Sequence, residues 1–127
     1  MSDAIMLDTS ILIDFFRKEN KENAILFSLS AKYKHFYVSV ITEYEIFSGS
    51  TPTQQNFWET FFSKMNILTL DSNCTQQAVS IHKVLKRKNK MIEIPDLLIA
   101  ATALTHQLPI ATINKKHFER VEGLLII

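Results

Sequence analysis

Four polar residues stand where an apolar stretch ends and a helical pattern begins. They are Asp8 in IMLDTSILIDFF, Glu45 in SVITEYEIFSG, Asp96 in IPDLLIAATAL and Asn114 in IATIN. An ionisable carboxylate at the end of a hydrophobic strand is costly to bury and needs a partner such as a metal ion. In open α/β sheets that position is also where ligands bind, because strand ends and helix N-termini converge there. Each residue has an ordinary structural role as well. Thr42-x-x-Glu45 fits a capping box, Asp96 falls in a dipole-favoured first turn, and Asn114 is a good N-cap. Four such positions after strand-like segments would nevertheless share one edge of a parallel sheet, and the combination favours a site.

The residue types narrow the chemistry. Oxygen ligands without a His/Cys cluster suit a hard cation, Mg²⁺ or Mn²⁺, which binds a few carboxylates and keeps several waters. His35, His82, His106 and His117 lack ligand spacing, and Cys74 is alone, so zinc and an internal disulfide are not expected. The chain has neither a P-loop nor a G-x-S-x-G elbow, which counts against an NTPase and a serine hydrolase. Metal-assisted phosphodiester hydrolysis fits best, since such a cation binds a phosphodiester oxygen, activates a water and steadies the leaving oxygen.

The elements that must position these residues follow from periodicity. Ala4 to Leu7 reads as a strand, and Thr9 or Ser10 caps a helix over Ile11 to Arg17. A helix is expected over Ala24 to Lys34, a strand over His35 to Val40, and a short helix over Thr42 to Phe47 ending near Gly49. Phe57, Trp58, Phe61, Phe62 and Met65 form the apolar stripe of an amphipathic helix. Ile67 to Leu70 is a strand, and a long helix runs from Asp71 or Ser72 to about Arg87 with Ala78, Ile81 and Leu85 inward. Pro95 suits the first position of a buried helix through Leu104. Pro109 to Thr112 is a strand, Asn114 caps a helical turn through Phe118, and Leu124 to Ile127 is a last strand. Strands alternating with helices give an α/β fold with a mainly parallel central sheet flanked by helices.

The 127 residues suit one domain over 1–127, and a hydrophobic content of 46% with nine Phe supports a substantial core. Acidic Asp3 and the first strand leave no room for a signal peptide, and the apolar run Ile94 to Leu104 is too short for a bilayer. A cytoplasmic protein with no membrane association is expected. Net charge is only +1, without the strongly basic balance of a duplex binder. The cations are unevenly placed, however. Lys83, Lys86, Arg87, Lys88 and Lys90 form one cluster, and Lys115, Lys116 and His117 a smaller one. Both suit solvated helix ends. They gain a phosphate-tracking role only if both border the cleft, which makes Lys115, Lys116, Arg87 and Lys90 candidate phosphate contacts.

The strings LDTSILID, SVITEYEIFSG, PDLLIAATAL and IATINKKHFERVEGLLI resemble, in the same order, those of the PIN-domain ribonucleases. More narrowly, they are similar to the VapC toxins of type II toxin–antitoxin modules. The resemblance spans nearly the whole chain and implies a PIN-like α/β domain. It matches Asp8 and Asp96 to the family's first and third acids. The family's T-x-x-E-L pattern selects Glu45 over Glu43, which is left to the surface or to a supporting position. The family's fourth acid is replaced by Asn114. A neutral amide binds a second cation less well, so one Mg²⁺ (or Mn²⁺) held chiefly by Asp8 and Asp96, with Glu45, is expected.

Thr9 or Ser10 would supply a supporting hydroxyl, although a plain helix cap serves Ser10 as well. The implied activity is endoribonucleolytic, leaving a 5′-phosphate and a 3′-hydroxyl. The implied partners are an RNA substrate, a cognate antitoxin lying along a groove, and a second copy in a homodimer. Asn114 motivates the alternative of a non-catalytic PIN-like module that binds RNA or a partner. A housekeeping RNA-processing nuclease shares the chemistry.

Smaller expectations complete the reading. Asp14 is expected on the surface, paired with Arg17 or Lys18. His117 is read as an RNA-phosphate contact or as packing on Phe118, and Glu93 as a loop residue or the border of the pocket. The aromatic stripe is mainly core, with an outer part available to a partner.

Overall fold

The computed structural model describes residues 3–127. Strands β1 (Ala4–Leu7), β2 (His35–Ser39), β3 (Asn66–Leu68) and β4 (Ile110–Ala111) form one sheet in the order β3-β2-β1-β4, every pair parallel. Met6 stands opposite Tyr37 on one side and Ile110 on the other. A parallel central strand is covered on both faces, which is why β1 reads AIML with no polar alternation. Ile5, Met6 and Leu7 are all fully buried. Successive side chains point to opposite faces, so Met6 joins one core while Ile5 and Leu7 join the other.

The helices divide accordingly. α1 (Thr9–Arg17), α2 (Ile25–Ser30) and α4 (Pro52–Ser63) cover the Ile5/Leu7 face, where Phe15, Phe16, Phe57, Trp58, Phe61 and Phe62 make a run of ring contacts. α5 (Ser72–Arg87), α6 (Ile94–Thr105) and α7 (Lys115–Phe118) cover the Met6 face. α3 (Val40–Gly49) spans both, with Ile46 in one core and Ile41 against the other.

Chain order along the sheet reverses at β1. The path runs outward through β2 and β3, then returns to place β4 on the other flank of β1. That reversal opens a crevice at the carboxyl ends of β1 and β4, the position at which such sheets bind ligands. Asp8 and Asn114 leave from those two strand ends.

Several local expectations are corrected. Asp8 itself, not Thr9 or Ser10, caps α1, its side chain accepting from the Ser10 N–H. Asp8 is the first residue off the strand, so no other side chain precedes the helix closely enough. Ser39 caps α3 in the same way, which places Thr42 inside the helix and removes the predicted capping box with Glu45. The helix expected over Ala24 to Lys34 is confined to Ile25–Ser30, after a 3-10 turn at Lys21–Asn23. Leu124 to Ile127 makes only an isolated parallel bridge, Ile126 to Ile110, since β4 is two residues long and gives little edge to extend. Pro95 falls at the second helical position of α6, and Ile94 before it is 66% exposed.

α7 has only four residues and gains its position from Phe118, which is fully buried in the core with Met6, Leu97 and Ile110. Phe118→Ala is therefore expected to destabilise the fold by about 3–5 kcal/mol, out of a typical total of roughly 5–15 kcal/mol. Equilibrium urea unfolding would show this as a lower midpoint.

Candidate active site

Asp8 occupies the crevice, 2% exposed, with both carboxylate oxygens engaged. Oδ1 accepts from the Ser10 N–H at 2.9 Å and the Ser10 hydroxyl at 2.5 Å. Oδ2 accepts from the Thr112 hydroxyl at 2.7 Å, across the switch point. Each hydroxyl is itself fixed by a backbone donor. Ser10 Oγ accepts from the Ile113 N–H at 3.0 Å and Thr112 Oγ1 from the Asn114 N–H at 2.9 Å. No Lys, Arg or His lies within ion-pairing distance of Asp8 among the described residues. Burial pushes the Asp8 carboxyl above the usual range, while the Ser10 and Thr112 hydroxyls and the Ile11 and Ser10 N–H groups pull it down.

Glu45 and Asp96 reach this edge from other helices. Thr9, beside Asp8, donates through Oγ1 to Glu45 Oε1 at 2.6 Å and lies 3.1 Å from the buried Thr42 hydroxyl. Glu45 Oε2 makes no hydrogen bond among the described residues. Asp96, in the first turn of α6, meets His117 of α7, with Oδ2 3.1 Å from Nδ1. Asn114 occupies the N-cap position of α7 but makes no side-chain cap bond, and it is exposed. The chain thus links the four through short contacts: Asp8 to Glu45 by way of Thr9, Asp8 to the Asn114 backbone by way of Thr112, and Asp96 to the same turn by way of His117. Among the described residues no three His, Cys, Asp or Glu side chains converge as a ready-made metal cage. The donor chemistry is nonetheless that of a hard cation. Asp8 is a buried carboxylate lacking a counter-charge, and Glu45 and Asp96 each keep one oxygen free.

Some residues have other roles than those expected. His117 is tied through Nδ1 to Asp96 while its side chain stays 43% exposed, a contact the sequence does not suggest. Asp14 pairs with Lys18 at 3.0 Å, as expected, and also accepts from the Ile25 N–H at 2.9 Å, so it holds the start of α2. Its carboxyl is drawn below the usual range, first by that backbone hydrogen bond. Glu93 precedes α6 as an exposed N-cap with no side-chain bond. Of the candidate RNA cations, Lys90 and Lys116 line a common groove, whereas Arg87 and Lys115 do not. Thr112 and Thr42 were not singled out for the site. Thr112 could have been found as a hydroxyl two residues before Asn114, mirroring Ser10 two residues after Asp8.

The fold and this edge define a doubly wound parallel α/β domain with an acidic crevice at its switch point. The chain belongs to the PIN domain family, whose model matches residues 5–124. It is similar to Ribonuclease VapC1 of Methanocaldococcus jannaschii, 34% identical over 93% of this chain and 81% of that protein. It is also similar to the tRNA(fMet)-specific endonuclease VapC of Shigella flexneri, 29% identical over 94% of this chain and 92% of that protein. Among solved structures it resembles a toxin–antitoxin complex from Klebsiella pneumoniae, with a TM-score of 0.78 and 27% identity, covering 97% of this chain and 95% of that one.

Because its pKa is raised, Asp8 favours the folded state only while it is protonated. That contribution is lost as pH rises through the raised folded value, leaving the burial penalty in full at neutral pH. Asn keeps the capping oxygen and removes the charge, but sets an amide donor against the Thr112 hydroxyl that Oδ2 accepts from. In metal-free buffer the melting temperature of Asp8→Asn relative to the parent is therefore expected to rise as pH is raised from the ordinary carboxylate range to neutrality, whatever fixed offset the lost acceptor adds. Thermal melts across pH check this, and a difference that stays constant or moves in the parent's favour as pH rises would contradict it.

Proposed function

We propose that this protein is a Mg²⁺- or Mn²⁺-dependent endoribonuclease, acting as the toxin of a type II toxin–antitoxin module. The observation that carries the reading is Asp8, a buried carboxylate without a counter-charge at the switch point of a PIN-domain sheet. The relatives named as ribonucleases support the substrate class.

Asp8 and Asp96 would hold the cation, with Glu45 either joining them or orienting the attacking water. Such a cation, when bound, polarises a phosphodiester oxygen and lowers the pKa of a water. The rest falls to the chain's own groups. Ser10 and Thr112 keep the Asp8 oxygens from turning, and Thr9 does the same for Glu45. His117 fixes one oxygen of Asp96. Asn114, neutral and exposed, brings no charge to a second cation, which supports a single-cation site.

A partner of the antitoxin kind is supported by an apolar groove of about 610 Å³ between α1 and α4, lined by Phe15, Phe57, Phe61 and Met65. Phe57, Phe61 and Met65 are the outer part of the predicted apolar stripe, and Phe15 joins them from α1. The similarity to a toxin–antitoxin complex supports the same assignment. A homodimer is part of this reading on family resemblance. The non-catalytic alternative draws on Asn114 and on the absence of a converged acidic triplet among the described residues.

Purified protein is expected to cut single-stranded RNA in Mg²⁺ or Mn²⁺ and to stop when EDTA is added. Asp8→Asn and Asp96→Asn are each expected to lower the cleavage rate by about 100-fold or more, matching the several kcal/mol a lost cation removes. Cleavage and growth arrest retained in Asp8→Asn would sink the assignment. Calorimetric titration with Mn²⁺ separates the alternative, for which binding would be unaffected by Asp8→Ala.

A further inference from the structure

Two grooves flank the acidic edge. One, of about 520 Å³, is lined by Lys88, Lys90, Lys116 and Arg120 together with Glu119 and Glu122, four cations against two carboxylates. The other, of about 420 Å³, is lined by Ser10, Arg17, Lys18, Asp14 and Ile113. Segment 113–116 joins them, contributing Ile113 to one groove and Lys116 to the other, with Asn114 between. Ser10 at the floor of the second groove is the residue that donates to Asp8.

Part of this charge is already spoken for. Lys88 pairs with Glu122 at 2.7 Å and Lys18 with Asp14 at 3.0 Å. Arg120 donates to the Met91 carbonyl at 2.8 Å, fastening the α5–α6 loop to the turn after α7. Arg17, Lys90 and Lys116 have no ion pair among the described residues. With a net charge of only +1, three unpaired cations lining the two grooves that segment 113–116 joins concentrate positive charge beside the acidic edge.

We propose that these two grooves form one track for the backbone of a single-stranded RNA, which crosses the Asp8 site between them. The inference rests on the ribonuclease reading and specifies how its substrate is held. A ligand filling both grooves crosses segment 113–116, whose Ile113 and Asn114 N–H groups bond the two hydroxyls that hold Asp8. An acidic peptide would set fixed carboxylates against that edge and offer it no bond to cut. A phosphodiester strand meets the flanking cations with its phosphates and presents one phosphate at the site. Ile113, 51% exposed, gives an apolar surface for a base or ribose in the second groove.

The test is fluorescence anisotropy of a labelled, short, mixed-sequence single-stranded RNA in EDTA, titrated at several salt concentrations. Three variants are compared with the parent: Lys90→Gln/Lys116→Gln, Arg17→Gln, and Lys32→Gln/Lys34→Gln. The last pair is exposed and precedes β2, at the opposite end of the sheet. The Lys90/Lys116 pair is expected to lose about tenfold in affinity, with the salt slope shallower by about 1.4. Arg17→Gln is expected to flatten it by about 0.7, and Lys32→Gln/Lys34→Gln to leave it unchanged.

The proposal is overturned by an unchanged slope in the groove variants, by an equal loss in the Lys32/Lys34 variant, or by parent protein that does not bind this RNA. Competition by polyglutamate as strong as by unlabelled RNA would also overturn it. Because binding is read without metal, its failure is separate from that of the nuclease reading. Protein that binds through the grooves but never cuts would refute only the nuclease.

Discussion

The hydrogen bond from Thr112 to Asp8 joins residues 104 positions apart and closes the crevice between β1 and β4. It belongs to a pair. Ser10 and Thr112 each accept a backbone N–H from the turn after β4, which leaves each hydroxyl proton aimed at the Asp8 carboxylate. A hydroxyl has one proton to give, and here its direction is set by the N–H it must accept. Both strand-to-helix turns are therefore tied to a single carboxylate. The sheet order, the parallel pairing of β4 beside β1 and the apolar sequence of β1 are all required for those turns to meet.

Glu45 and Asp96 are held differently. Each is fixed at one oxygen by a residue from another part of the chain, Thr9 for Glu45 and His117 for Asp96, and each keeps its second oxygen free. The two helices carrying them are set by apolar packing. α3 has Ile46 in one core and Ile41 against the other, and α6 buries Leu97, Ile99, Ala100, Ala101 and Ala103. Asp8 is thus the rigid member, locked by the backbone on both flanks, and the other two are adjustable members on rigid supports. For the cation-dependent reading proposed above, that division would let the periphery adjust while Asp8 stays in place.

The elements were legible wherever a single period dominated. AIML, the α5 stripe of Ala78, Ile81 and Leu85, and the aromatic stripe of α4 gave strand and helices close to those observed. Boundaries failed where a polar side chain had two uses. Asp8 serves as cap and candidate ligand at once, and the ligand signal hides the cap, which then falls by expectation to Thr9 or Ser10. Thr42 has the spacing of a cap, but its hydroxyl is buried against Thr9. The C-terminal LLII carried a strong strand signal, but its pairing depended on the length of β4, which lies elsewhere in the chain. Asp8, Glu45 and Asn114 do follow strands β1, β2 and β4, but the expected strand-like segment before Asp96 is absent: α6 follows α5 directly, and Asp96 meets the turn after β4 through His117. The contacts of their partners are long-range, Thr112 to Asp8 between β4 and β1 and His117 to Asp96 between α7 and α6, and such contacts leave no periodic signal.

The same logic bears on the charge distribution. An acidic crevice on a chain of near-neutral net charge would repel an anionic strand, and the repulsion would act over roughly a Debye length of 8 Å at physiological salt. Pairing every nearby cation with a carboxylate would leave that repulsion intact. Instead Asp14 and Glu122 neutralise Lys18 and Lys88, while Arg17, Lys90 and Lys116 stay unpaired on the two sides of the crevice. Asn114, neutral and exposed, acts in the same direction by adding no negative charge where the two grooves meet. Asp8, buried and without a counter-charge, carries a charge that is unfavourable until a cation is supplied.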